Sequence, residues 1–154
     1  MTGTNRGVSP ARTGMTPDIH LTDTPDPAAR EAILGGLLSF NAARAGPHEF
    51  RPLAVLVGDP ARGEVIGGLW GKTSFAWFFV ELLFVPETFR GSGLGASLMR
   101  RAEEEAVRRG CRGAWLDTFS FQARGFYERL GYAVFGTIED YPPGHRRHFM
   151  FKTF

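Results

Sequence analysis

The chain has 154 residues and a net charge of only +2. That size fits one domain, and that charge is too small to argue for nucleic acid or a membrane surface as partner. A single cysteine, Cys111, excludes an internal disulfide and suits a reducing cytoplasm, and no apolar run is long enough to span a bilayer.

Residues 1–17 are rich in Thr, Gly, Pro and Arg and lack the apolar centre of a signal peptide. They read as a disordered leader, with Met15 as an alternative start, and residues 18–154 read as a single domain. Asp18 to Thr24 alternates apolar and polar residues and predicts a short strand. Asp26 is placed to cap a helix that has Pro27 at its first position. Its apolar stripe is Ile33, Leu34, Leu37, Leu38 and Ala42; Gly46-Pro47 ends it, and the Gly35-Gly36 pair predicts a bend.

Leu53–Val57, Glu64–Trp70 and Phe75–Val85 read as three strands joined by short turns, which implies an antiparallel meander. A helix is predicted from Gly93 to Arg109, with Leu94, Leu98, Ala102 and Ala106 repeating at four-residue spacing and Met99 widening the stripe. Arg100–Arg109 alternates charge at four-residue spacing and reads as a solvated face. Ala114–Asp117 reads as a buried strand, Gln122–Leu130 as a second helix, Tyr132–Ile138 as a strand and His148–Lys152 as the last strand of a closing hairpin. The fold class is therefore mixed α+β, with about six to seven strands in one sheet, flanking helices, and the long helix crossing between parallel strands.

The chemistry concentrates at Val85–Ala96, where a strand runs through Arg90-Gly91-Ser92-Gly93-Leu94-Gly95-Ala96 into a helix. The first amides of a helix have no partner within it, and the helix dipole makes that end partly positive. Glycines at 91, 93 and 95 let a ligand approach the backbone, and Arg90 adds a forked cation. Together these make a diphosphate cradle. Gly91, Gly93 and Ala96 also fit a relaxed dinucleotide fingerprint. That fingerprint belongs at the first turn of a parallel sheet, and here it follows a meander.

Arg90, Gly93 and Gly95 fit the R/Q-x-x-G-x-G/A signature, and Ala123-Arg124-Gly125-Phe126-Tyr127-Glu128-Arg129-Leu130-Gly131-Tyr132 fits A-x-x-F-Y-E-x-L-G-F/Y. On these two motifs the chain resembles the GNAT superfamily of acyl-CoA-dependent N-acyltransferases, well over residues 51–154 and loosely over 18–50. The resemblance implies a strand that splays from its parallel neighbour and admits the pantetheine arm of acetyl-CoA, against the backbone of Leu83, Phe84 and Val85. It places the diphosphate on the amides from Gly91 to Ala96. Tyr127 matches a tyrosine that protonates the departing thiolate. Ser120 stands where many members place an Asn that helps hold coenzyme A.

Glu81 is a carboxylate amid Trp77–Val80 and Leu82–Phe84, four residues before Val85 and so on the same strand face. Burial would raise its pKa and suit it to take a proton from an attacking ammonium; a structural ion pair is the alternative. Asp117 ends the strand Trp115-Leu116-Asp117-Thr118 and reads as a cap of the turn before the next helix, the alternative being a side chain that points into the cleft. The four histidines, 20, 48, 145 and 148, show no metal-ligand spacing. Trp70, Phe75, Trp77, Phe79, Tyr141 and His145 are candidate acceptor walls, and Arg146 and Arg147 are suited to an acidic acceptor.

The expected function is transfer of an acetyl group from acetyl-CoA to a primary amine of a small molecule or peptide, by direct attack in a ternary complex, with Tyr127 and Glu81 catalytic and no metal. Neither nucleic acid nor membrane is an expected partner; sheet-edge pairing would allow a homodimer. The alternative is an acyl-CoA-binding sensor or interaction module without catalysis.

Overall fold

The computed structural model describes residues 17–46 and 50–154. The expected leader, apart from its last residue, lies outside the described residues, as do Pro47 and His48. The chain forms two compact units, divided between Asn41 and Ala42.

In the first unit, Asp26 Oδ1 accepts the Ala28 N–H at 2.9 Å, the cap expected before α1 (Pro27–Ala45). The helix runs through Gly35-Gly36 without interruption. Two glycines cost helix propensity but break no backbone hydrogen bond. The strand expected at Asp18–Thr24 does not form, and Ile19 and Leu21 are 91% and 95% exposed. Alternation marks a face, but a strand also needs a neighbour. Here the Thr24 N–H donates to Thr22 Oγ1 instead, at 3.1 Å.

The second unit is built on a six-stranded sheet in the order β1-β2-β3-β4-β6-β5. The strands are β1 (Arg51–Gly58), β2 (Val65–Ser74), β3 (Trp77–Phe84), β4 (Gly113–Phe119), β5 (Ala133–Glu139) and β6 (Arg146–Thr153). The first three form the expected antiparallel meander. Helix α2 (Leu94–Arg108) carries the chain from β3 to its parallel neighbour β4. After the short helix α3 (Arg124–Arg129), β5 takes the sheet edge and β6 returns between β5 and β4.

Leu98, Met99, Ala102 and Ala106 of α2 are buried with Leu69, Phe78, Leu116 and Met150 from the sheet. This is the stripe that four-residue spacing predicted, and each large side chain buried in it stabilises the fold by about 1.5–3 kcal/mol. The charged run on α2 is less solvated than expected. Glu105 pairs with Arg109 and Arg108, but Arg109 also donates to the Pro52 carbonyl at 3.0 Å, tying α2 to β1. Glu103 accepts from Lys152 at 2.6 Å and from the Tyr132 hydroxyl at 2.9 Å.

Candidate active site

Strands β3 and β4 pair only at Phe78–Ala114, Phe79–Trp115 and Val80–Leu116. The rings of Phe79 and Trp115 stack across one of these rungs at 3.9 Å. Past Val80 and Leu116 the two strands part, leaving one edge of β3 without a partner strand. The register with β2 runs from Trp70–Leu82 to Gly71–Val80, so Glu81 is the extra residue of a β-bulge. A bulge bends its strand and re-aims its side chains. It needs a close approach at Gly71, where a Cβ would meet the Phe79 carbonyl and the Phe78 ring.

The parted strands open a cavity of about 960 Å³ lined by β3 from Val80, by the loop into α2, by Leu116–Thr118, and by Phe121–Ala123, Phe126, Tyr127 and Arg129. At one end is the start of α2. Gly93 is its N-cap, at φ 84° in the left-handed region, a conformation that costs other residues about 1–2 kcal/mol. The amides of Gly91, Ser92 and Gly93 have no protein acceptor among the described residues. With the first amides of α2, they form a row of donors backed by the helix dipole. Arg90 Nε donates to the Val85 carbonyl at 3.2 Å and Ser92 Oγ to the Phe89 carbonyl at 2.6 Å, bonds that hold the loop against the end of β3.

Tyr127 on α3 is buried, with no hydrogen-bond partner for its hydroxyl among the described residues. Burial, and secondarily the charge of Asp117, push its phenol up from 10.0 to about 12. It therefore stays protonated, and a donor, across the physiological range. Glu81 and Asp117 each stand one residue beyond the last β3–β4 rung, both lining the cavity. Glu81 pairs with Lys72 at 2.5 Å, and Asp117 Oδ2 accepts from Arg147 Nε at 2.7 Å.

The geometry combines an anion cradle, a strand edge without a partner strand and a neutral phenol in one slot. The sequence pattern of the acetyltransferase (GNAT) family matches residues 22–132. The chain belongs to that family. An acetyltransferase of Agrobacterium fabrum is 39% identical over 134 residues, covering 87% of this chain and 97% of its own length. A blasticidin-S acetyltransferase of Streptomyces morookaense is 45% identical over 107 residues, 68% of this chain and 79% of that protein. The crystal structure of a protein from Agrobacterium tumefaciens assigned as an acetyltransferase matches at a TM-score of 0.84 and 38% identity, over 89% of this chain and 99% of that one. The chain is accordingly an enzyme that passes an acetyl group to an amine.

This GNAT enzyme brings together most of the residues singled out in its sequence. Leu83, Phe84, Val85, Arg90, Gly91, Gly93, Leu94, Gly95, Ala96, Glu81 and Tyr127 all line the cavity. Ser92 and Ser120 do not. Ser120 Oγ accepts the Arg146 N–H at 3.1 Å and lies 3.5 Å from His145 Nδ1, so its hydroxyl serves the start of β6.

Three further expectations are corrected. Leu83 and Val85 pack toward the core while Glu81 turns to Lys72, because the bulge resets the alternation that would have put Glu81 and Val85 on one face. The Glu81 side chain is 27% exposed and ion-paired, so it is not a carboxylate isolated among apolar residues. Asp117 does not cap its turn; Gln122 Oε1 does, accepting from the Phe119 N–H at 2.9 Å and Thr118 Oγ1 at 3.2 Å.

Thr118, Phe121 and Gln122 are lining residues that sequence reasoning missed. The only sequence signal for them was their place between a strand end and the Tyr127 helix. None of the six expected aromatic walls lines this cavity; Trp77 instead borders a separate apolar hollow of about 430 Å³ with Trp115, Phe135 and Phe151. Among the described residues no helix is long and apolar enough to cross a membrane, and no group of three or more His, Cys, Asp or Glu could hold a metal.

Proposed function

We propose that the enzyme takes its acetyl group from acetyl-CoA and passes it to a primary amine of a small molecule, with donor and acceptor bound together. The observation that carries this reading is the single cavity joining the α2 amides, the open edge of β3 and Tyr127. The amides from Gly91 to Ala96 hold the diphosphate. The backbone from Leu83 to Val85, at the end of β3 that has no partner strand, pairs with the pantetheine arm, as a strand edge pairs with any extended chain.

Glu81 takes one proton from the acceptor ammonium, directly or through water. The neutral nitrogen then bonds to the acetyl carbon, the carbon–sulfur bond breaks, and Tyr127 donates its proton to the sulfur as negative charge develops there. The second proton that the nitrogen loses on becoming an amide restores the phenol. Both side chains line the same cavity, Glu81 one residue past the last β3–β4 rung and Tyr127 within electrostatic reach of Asp117, which stands past the same rung. Residues 18–154 form the catalytic domain on this reading, supported by a family pattern that crosses the boundary between the two units. A single cysteine fits a cytoplasmic setting.

Blasticidin S, named as the acceptor of the Streptomyces relative, is the first amine to try. The test is calorimetry with acetyl-CoA, followed by a panel of amines that includes blasticidin S, each monitored for free thiol. Thiol release that requires both the amine and the enzyme supports the reading. Acetyl-CoA binding with no thiol release from any amine would make the chain a binding module.

A further inference from the structure

Asp117 lines the cavity, yet no step described above uses it. It is the first residue of β4 past the Val80–Leu116 rung, and Glu81 holds the equivalent place on β3. The two carboxylates therefore flank the point where the strands part. The Asp117 side chain is 18% exposed and firmly held. Its Oδ2 accepts from Arg147 Nε, and Arg147 Nη1 donates in turn to the Tyr141 hydroxyl at 3.2 Å. The guanidinium lies over the rings of Phe119, Tyr141 and Phe149, 5.3–5.6 Å from their centroids. Arg147 thus fixes the carboxylate without filling it, since Oδ1 has no protein donor among the described residues.

We infer that Asp117 Oδ1 receives the ammonium group of the acceptor at the mouth of the gap, held in position by Arg147 and Tyr141, and so selects acceptors that arrive as cations. An ionised acceptor oxygen makes a short, strong bond to an ammonium. Burial is the main cause of the raised Tyr127 phenol, and the Asp117 charge adds to it, which puts the carboxylate within electrostatic reach of the residue placed to serve the sulfur. Asp117 binds the amine and Glu81 takes its proton, so the two carboxylates have different tasks. The inference rests on the acetyl-transfer reading above.

Asp117→Asn tests it, because Asn still offers Arg147 an acceptor oxygen but carries no charge. Two acceptors are compared at pH 7: the best primary alkylamine of the panel, which is protonated, and hydroxylamine, which is neutral. For the alkylamine, kcat/KM should fall about tenfold or more, chiefly through KM. Hydroxylamine should lose much less, the KM for acetyl-CoA should hold, and Asp117→Glu should recover part of the loss. A thermal melt confirms that the variant folds. Wild type gives a second test: going from low salt to about 0.5 M should raise KM for the alkylamine and leave hydroxylamine unaffected.

Equal loss for both acceptors would show that Asp117 only braces β6. Unaltered kinetics would remove it from the acceptor site, and wild-type kinetics insensitive to salt for both amines would also count against the ion pair. A wild type that binds acetyl-CoA and acetylates no amine would overturn the functional reading and this inference with it.

Discussion

Replacing Tyr127 with Phe removes one oxygen from a ring that is 8% exposed and whose hydroxyl has no hydrogen-bond partner among the described residues. The ring contacts with Phe126 at 5.0 Å and Tyr132 at 6.1 Å remain, so the fold should hold within about 0.5 kcal/mol at pH 7. Catalysis should not hold. A positioned acid contributes about 10²–10⁴-fold, so kcat should fall by about 10² or more. The KM for acetyl-CoA should change little, because the lost bond forms chiefly as the sulfur leaves.

The raised phenol gives a second readout of the same variant. A folded pKa raised from 10.0 to about 12 leaves stability intact below pH 10. As pH rises toward 12, the unfolded phenol ionises while the folded one does not, and stability is lost. From pH 9 to pH 11 wild type should lose roughly 1 kcal/mol that Tyr127→Phe does not, measurable by urea unfolding. For the same reason any alkaline limb in the rate below about pH 11 must come from a group other than Tyr127. Steady-state kinetics by free-thiol release, with a good amine, checks the first part. Turnover equal to wild type would remove Tyr127 from the mechanism, whatever the unfolding curves show.

Gly93→Val would force a β-branched residue into φ 84° at the start of α2. It should raise the acetyl-CoA Kd about tenfold or more by calorimetry while costing about 1–2 kcal/mol of stability. Glu81→Gln should lower kcat about 10²-fold with an alkylamine at pH 7, with acetyl-CoA affinity unchanged. Tyr132→Phe removes a donor from Glu103, which is 14% exposed and also bonded to Lys152. Thermal or urea unfolding should show a loss of about 1.5–3 kcal/mol with kcat near wild type, since neither Tyr132 nor Glu103 lines the cavity.

The sequence carried the loop and the meander in local terms. The Arg90–Ala96 glycines, the α2 stripe at Leu98, Ala102 and Ala106, and the Asp26 cap are each set by residues close in the chain, and the structure has each where expected. What escaped depended on long-range pairing. The β2–β3 turn is made by Phe75 and Ala76 at φ 49° and 59°, left-handed positions with none of the Gly, Asn or Asp that mark such turns. The bulge at Glu81 arises from register with β2, which no local pattern encodes, and it changed that residue's face and partner. Adjacent helical positions point about 100° apart, yet Phe126 and Tyr127 of the six-residue α3 both line the cavity, Tyr127 buried and Phe126 half-buried against Gly95. The Asp117–Arg147 pair joins residues thirty apart across β4 and β6, beyond any spacing rule.

A crystal structure with acetyl-CoA tests the central claim most directly. The account predicts the diphosphate on the amides between Gly91 and Ala96, the pantetheine arm along the backbone of Leu83–Val85 at the open end of β3, and the thioester sulfur within hydrogen-bond reach of Tyr127 Oη. A diphosphate bound away from the start of α2, or a sulfur far from Tyr127, would contradict it.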